Sequence, residues 1–458
     1  MRRLRISAIL IAFLLLLGSC SLPETPPNDS SEATSDGIGE SLSDSMGETQ
    51  SPVGSTEEET SDLPVKEREC VNYTDMKCLW ISQFDLSSVY TLNGKQRSEK
   101  DFRLKMETIL DNTVACGFNT VFLQMRPNAD SMYPSEVYPP SVYVVGAYGA
   151  SFSYDPISIV VDMAHERGLS IHAWINPMRG MKVSELMEID SGYAIRAWYD
   201  DAKTKGKSVV TVGDRVYLNP AYPEVRELIV SGAEEILRRY PVDGLHMDDY
   251  FYPTAEASFD RAAYEAYLGE GGAFSLSEFR RSALNALVST LYSTVKRCSS
   301  LLLFGISPAG NWNTVYETQF ADVYTWCGES GYIDYICPQV YFGMEHQNFD
   351  FVKTCAKWQS MIRCEEVFLL VGMTLGKAKS GVDAYAGSGK NEWQTHKDVL
   401  YRCLMHTETL ATCRGVSYFC YQYFYSPTTG ASVPETETER GNFLPLLRRI
   451  TWADKNSD

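Results

Sequence analysis

An α/β chain closing into a (β/α)8 barrel, with long insertions at its C-terminal face, is the fold this sequence predicts. Three observations predict it. From about Lys77 onward, apolar strand runs alternate with amphipathic helices, eight times in all, and strands spaced by helices of that length pair in parallel. Eight such units close a barrel rather than extend an open sheet. No Gly-rich phosphate loop follows the first strand, which weighs against a dinucleotide-binding sheet.

Taken in order, the predicted strands are Cys78–Asp85, Thr120–Pro127, Leu169–Pro177, the run that begins at Val242 and carries Asp248, Leu301–Pro308, Tyr332–Tyr341, Val367–Met373 and Gly415–Tyr421. Helices are expected near 99–116, 156–167, 223–239 and 277–298. The length beyond a minimal barrel of ~250 residues falls mostly into three insertions. These are Pro127–Asp155, which carries Tyr133, Tyr138, Tyr143 and Tyr148, then Met178–Asn219 and Phe251–Leu276. Within the second, Ser208–Leu218 alternates around Gly213-Asp214 and reads as a hairpin. All three insertions leave the C-terminal ends of strands, where barrel enzymes keep their sites, and they would wall a groove suited to a polymer.

The barrel region runs from 70 to 455, behind two segments of other character. Met1–Cys20 has a charged start in Arg2, Arg3 and Arg5, an apolar stretch Ile6–Leu17, and a small-residue close at Gly18-Ser19-Cys20. That is an export signal, and its final cysteine has the form of a lipidation site, so Cys20 is expected to carry lipid and anchor the chain to a membrane. The apolar stretch is too short for a span. Residues 21–69 are dominated by Ser, Thr, Glu, Asp, Gly and Pro, a composition that cannot bury enough apolar surface to order itself. The segment is expected to be a disordered spacer. It holds thirteen acidic and two basic residues, −11 of the formal −18; the leader adds +3, leaving −10 elsewhere. That balance argues against a nucleic-acid partner. The twelve cysteines show no CxxC pair and no zinc-type His/Cys cluster. Mostly buried free thiols, no metal and no cofactor are expected, with Cys70–Cys78 left open as a disulfide. The chain is taken to act as a monomer.

The strand ends carry one consistent chemistry. Side chains alternate faces along a strand, so His246 and Asp248 share one face of the fourth strand, and His172, Trp174 and Asn176 share one face of the third. Asp85 closes the first strand, Gln124 and Arg126 the second, Gln339 and Tyr341 the sixth, and Tyr421 the eighth; Trp312 lies in the loop after the fifth, and Glu345 follows the sixth. Carboxylates, amides and aromatic rings together suit a sugar. Rings cover its C–H face, while Asp, Asn, Gln, His and Arg bond its hydroxyls. Glycoside cleavage needs two carboxyl groups across the scissile bond. Asp248 is the first choice, and Asp249, Glu345 and Asp85 compete for the second role. The remaining polar and aromatic residues are candidate sugar contacts. His246 serves equally well as a satisfied core histidine, and Trp174, Trp312 and Tyr341 as packing.

Asp243-Gly244-Leu245-His246-Met247-Asp248-Asp249-Tyr250-Phe251-Tyr252-Pro253, Gln124-Met125-Arg126-Pro127, Ala173-Trp174-Ile175-Asn176-Pro177, Leu218-Asn219-Pro220, Ile306-Ser307-Pro308 and Pro338-Gln339-Val340-Tyr341 resemble the glycosyl hydrolase-like 10 family, in order and across roughly 75–425. That resemblance implies a TIM barrel and cleavage of bacterial cell-wall or related amino-sugar glycan. The fourth-strand motif is also similar to the chitinase-type Asp-Gly-x-Asp-x-Asp-x-Glu pattern, but His246 replaces the second Asp and Tyr250 stands where the acid Glu would be.

The leading expectation is therefore a membrane-anchored glycoside hydrolase acting on a peptidoglycan-like polymer. Two alternatives stand beside it. One is a glycan-binding lipoprotein without catalysis. The other is a metal-dependent polysaccharide deacetylase built on Asp248, His246 and His172.

Overall fold

The structure, a computed structural model, describes residues 70–248 and 251–452. Cys20, the leader, the 21–69 spacer and Asp249 lie outside the described residues. Eight parallel strands close a barrel: β1 Met76–Ile81, β2 Thr120–Arg126, β3 Ser170–Ile175, β4 Gly244–Met247, β5 Leu303–Ile306, β6 Tyr335–Ile336, β7 Phe368–Thr374 and β8 Cys413–Phe419. Each strand pairs with its neighbours in sequence, and β8 closes on β1. β2, β3 and β7 are buried along their whole length, as strands covered on both faces must be.

Local chemistry sets the helix limits. Ser98 accepts from the Asp101 amide to start Glu99–Cys116, and Gly117, at φ 96°, ends it in the left-handed region. Asp155 caps Pro156–His165, with proline at its first position. Pro223–Arg239 matches its expected limits, and a Ser275/Glu278 capping box opens Leu276–Cys298. The hairpin forms as Val209–Val212 against Arg215–Leu218, and Arg179–Lys182 adds a third strand.

All eight strands differ by a residue or more from their expected limits, and at three of them the difference moves a candidate site residue. β1 stops at Ile81 because Ser82 and Asp85 form a capping box that opens the helix Gln83–Tyr90. Asp85 is thus a helix-cap residue and does not end a strand. β6 keeps two regular residues before Pro338, which has no N–H to give a ladder; Gln339 still bridges Ala309 and Gly372. β8 ends at Phe419, and Tyr421 begins a short 3-10 turn. Its hydroxyl accepts from Asn112 outside the wall, so Tyr421 does not face the barrel mouth.

Most of the core lies between wall and helices. A second cluster fills the barrel itself, with Cys78, Trp80, Phe122, Trp174, Tyr335, Phe368 and Leu370. Cys78 is a buried thiol there and is not bonded to Cys70; nine of the eleven described cysteines are buried. Among the described residues, no helix is long and apolar enough to cross a membrane.

Candidate active site

Strand register decides which side chains reach the barrel mouth. Ile175 pairs with Met247, and the Ser307 amide donates to the Met247 carbonyl at 2.7 Å. Asn176, Asp248 and Ser307 are therefore neighbours at the C-terminal ends of β3, β4 and β5. Asp248 is 4% exposed. Its Oδ2 accepts from Asn176 Nδ2 at 2.5 Å, a donor that favours the ionised carboxylate.

Asn176 is itself held. Its Oδ1 accepts from Gln124 Nε2 at 2.7 Å, and Gln124 Oε1 accepts from the Gln83 main-chain amide at 2.7 Å. Gln83 Oε1 in turn accepts from Asn128 Nδ2 at 3.3 Å, and Asn128 Oδ1 from Arg215 Nη1 of the hairpin at 3.0 Å. Gln124 and Asn176, expected to bond sugar hydroxyls, spend both ends of their amides on this chain.

One level deeper, the two histidines are sealed inside the barrel. Trp80 Nε1–H can only donate, so His246 Nε2 accepts it at 3.2 Å. The His246 proton then sits on Nδ1 and goes to the Tyr335 hydroxyl at 3.0 Å. That hydroxyl donates to His172 Nδ1 at 2.9 Å, and His172 Nε2–H donates to Asn72 Oδ1 at 3.1 Å. Asn72 Nδ2 is occupied by the carbonyls of Asp243 and Leu301. Burial pushes His172 down to about 4 and His246 well below its ordinary value, so both rings are neutral. Phe122 stacks on His246 at 3.9 Å. His172 is a core residue rather than the sugar contact expected of it, and His246 takes the core alternative that the sequence left open. With all four ring nitrogens engaged, they are not poised as metal ligands for a deacetylase. No cluster of three or more His, Cys, Asp or Glu suited to a metal occurs among the described residues.

Other expected contacts are placed elsewhere. A register shift in β2 between Gln124 and Arg126 interrupts the alternation. Arg126 consequently leaves the inward face, stacks under Tyr138 at 4.6 Å and donates to the Ile229 carbonyl. Asp85 is fully buried; Ser82 N and Oγ and Gln422 N all donate to it. Glu345 is half exposed on its loop and pairs with His396 at 3.3 Å. Trp174 lines the barrel at 5% exposure, one residue pair below Asn176. Gln339 donates to the Ser307 carbonyl at 3.1 Å, and Tyr341 lies against Phe419, both half-buried at the mouth. Trp312 opens the helix Trp312–Glu317 and meets Phe349 edge-on.

Sequence reasoning missed Trp80, Gln83, Tyr335 and Arg215 as parts of this arrangement, and Asn72 as its base. The period of two that flags Gln339 and Tyr341 flags Tyr335 as well. Nothing local marks Asn72 or Arg215, whose partners lie far away in sequence.

The closed eight-stranded parallel barrel is a TIM barrel, a fold it shares with solved glycoside hydrolase domains. The glycoside hydrolase domain of PgaB (BpsB) from Bordetella bronchiseptica superimposes with TM-score 0.51 at 12% identity, over 80% of this chain and 98% of that one. The catalytic domain of β-amylase from Paenibacillus polymyxa gives 0.50 at 8% identity, over 82% and 99%. The chain belongs to the glycosyl hydrolase-like 10 family, whose model matches residues 75–385. It is similar to glycosyl hydrolase YngK of Bacillus subtilis, 31% identical over 68% of this chain and 62% of that protein, so it spans less than two thirds of that relative's length. It is also similar to glycosyl hydrolase DigH of Escherichia coli K12, 28% identical over 96% of this chain and 98% of that protein.

Proposed function

We propose that the chain is a glycoside hydrolase cleaving an amino-sugar glycan of bacterial cell-wall type, with Asp248 in the chemistry. The observation that carries this is Asp248 itself: a nearly buried carboxylate at the end of β4, bonded by an amide that favours its charge. A carboxylate kept in that state serves as base or nucleophile, and a second carboxyl must supply the proton. Asp85 is occupied by its helix cap and Glu345 by His396, which favours Asp249 for that second role. Trp174, Trp312, Gln339 and Tyr341 are the contacts we assign to sugar. The amino-sugar class rests on the family and on the similarity of the fourth-strand motif to the chitinase-type pattern. The anchor we propose is lipid on Cys20, at the outer face of a bacterial membrane, with the barrel acting as a monomer.

The test is incubation with intact and peptide-stripped peptidoglycan and with chitin-type oligomers, read by mass spectrometry. New reducing ends are expected with the native chain. Asp248→Asn is expected to lower their rate by at least ~10³-fold while the circular dichroism spectrum is unchanged. Turnover retained by that variant removes Asp248 from the chemistry. Glycan retained on the protein without any new ends overturns the hydrolase in favour of a binding module.

A further inference from the structure

We infer that Gln124 is a positioning residue for Asp248: acting through Asn176, it fixes which end of an amide meets the carboxylate, and so keeps Asp248 in its charged form. The catalytic importance of this rests on the glycosidase reading; the orientation itself does not.

A side-chain amide has an acceptor end and a donor end, and either can be turned toward a neighbour. Something must choose. The Gln83 main-chain N–H can only donate, and at 2.7 Å it fixes Gln124 Oε1 on itself. That turns Gln124 Nε2 to Asn176 Oδ1, also at 2.7 Å, and this turns Asn176 Nδ2 to Asp248 Oδ2 at 2.5 Å. Three hydrogen bonds thus run head to tail from a main-chain donor to a carboxylate. Gln124 and Asn176 are 4% and 0% exposed, so bulk water does not replace a lost partner. Turning Gln124 round would set two N–H donors against each other at Gln83. It would also oblige Asn176 to turn and offer its carbonyl oxygen to Asp248, which favours the protonated acid. The two amides therefore switch together or not at all. Gln83 opens the helix Gln83–Tyr90, so its N–H is among those a helix leaves without an internal partner, and the barrel uses it as the fixed end.

The titratable groups on the elements around Asp248 have bonds of their own. His246 on β4 and His172 on β3 are neutral within the Trp80–Asn72 chain. Asp85 is held by Ser82 and Gln422. Arg215 of the hairpin ends on Asn128 and the Gly180 carbonyl. Asp249, next in the chain, lies outside the described residues.

Because the fixed end is a main-chain N–H, proline at 83 deletes it. Proline is favoured at the first position of a helix, and Ser82 before it is already extended, at φ −92° and ψ 167°. Gln124→Met removes the next link with little change in volume. The experiment is a pH titration of aspartate side-chain carboxyl carbons by ¹³C NMR on the full chain, with Asp248→Asn to assign the resonance. Both variants are expected to raise the Asp248 midpoint by about one pH unit or more, tenfold in proton affinity. If glycan cleavage is established, the acidic limb of kcat/KM moves with the midpoint while KM stays within about twofold. An unmoved midpoint in a folded Gln124→Met chain overturns the inference; where Gln83→Pro does not fold, that variant decides alone. Absence of cleavage in the native chain sinks the hydrolase and leaves the titration to judge the relay.

Discussion

Asp85 illustrates how a carboxylate can sit near a barrel mouth and be reserved for the fold. Burial pushes it up to about 6, against the three donors that favour its charge. The folded chain therefore binds this proton more tightly than the unfolded one. Its contribution favours folding most below about pH 4 and is lost as pH rises through about 6. A rise of about two pH units corresponds to roughly 3 kcal/mol. Asp85→Asn is expected to destabilise the chain, since its amide N–H groups would face the Ser82 donors, and to do so more at pH 4 than at pH 7. Urea denaturation at the two pH values checks this; an equal loss at both would place the titration elsewhere. The sequence shows that a carboxylate stands at position 85, but Ser82 three residues earlier is what takes it for a helix cap. Asp248 was legible because it follows an apolar run that has no capping partner of that kind. Gln124 and Asn176 were legible as inward-facing amides, but what they face is set by pairing between distant strands.

At the scale of single elements, glycines make room for large side chains inside the wall. A Cβ on Gly305 would stand 2.0 Å from the Tyr335 ring, and one on Gly244 would meet His172 at 2.7 Å and the Leu303 carbonyl at 2.5 Å. Both neighbours are rigid, so the added atom cannot be absorbed cheaply. Gly305→Ala is expected to cost about 3 kcal/mol and to lower the thermal midpoint; a shift within error would mean that Tyr335 moves freely. The elements themselves were well marked in the sequence, since long apolar alternation and proline or serine caps are local signals. The β2 irregularity was not. It sends Arg126 outward against Tyr138 although simple alternation places it beside Gln124, and only pairing with β3 reveals it.

For the whole molecule, the barrel is held inside as well as around its wall. Tyr335 joins two imidazoles from different strands, accepting from His246 and donating to His172. Tyr335→Phe leaves a buried donor and a buried acceptor unmatched, an expected loss of about 2–5 kcal/mol measurable by urea unfolding at pH 7. A loss below about 1 kcal/mol would show that the ring alone matters. Both histidines are neutral in the fold, with His172 pushed down to about 4. The unfolded chain takes up their protons first, so their contribution to stability falls as pH drops from about 6.5 toward 4, opposite in sign to that of Asp85.

The run from Trp80 through His246, Tyr335 and His172 to Asn72 has one direction along its whole length, because an indole can only give. No member can be exchanged for a residue of different valence without stranding the next. The five positions thus work as one hydrogen-bonded unit, scattered over more than half the chain, in which a change at any one is passed to the next.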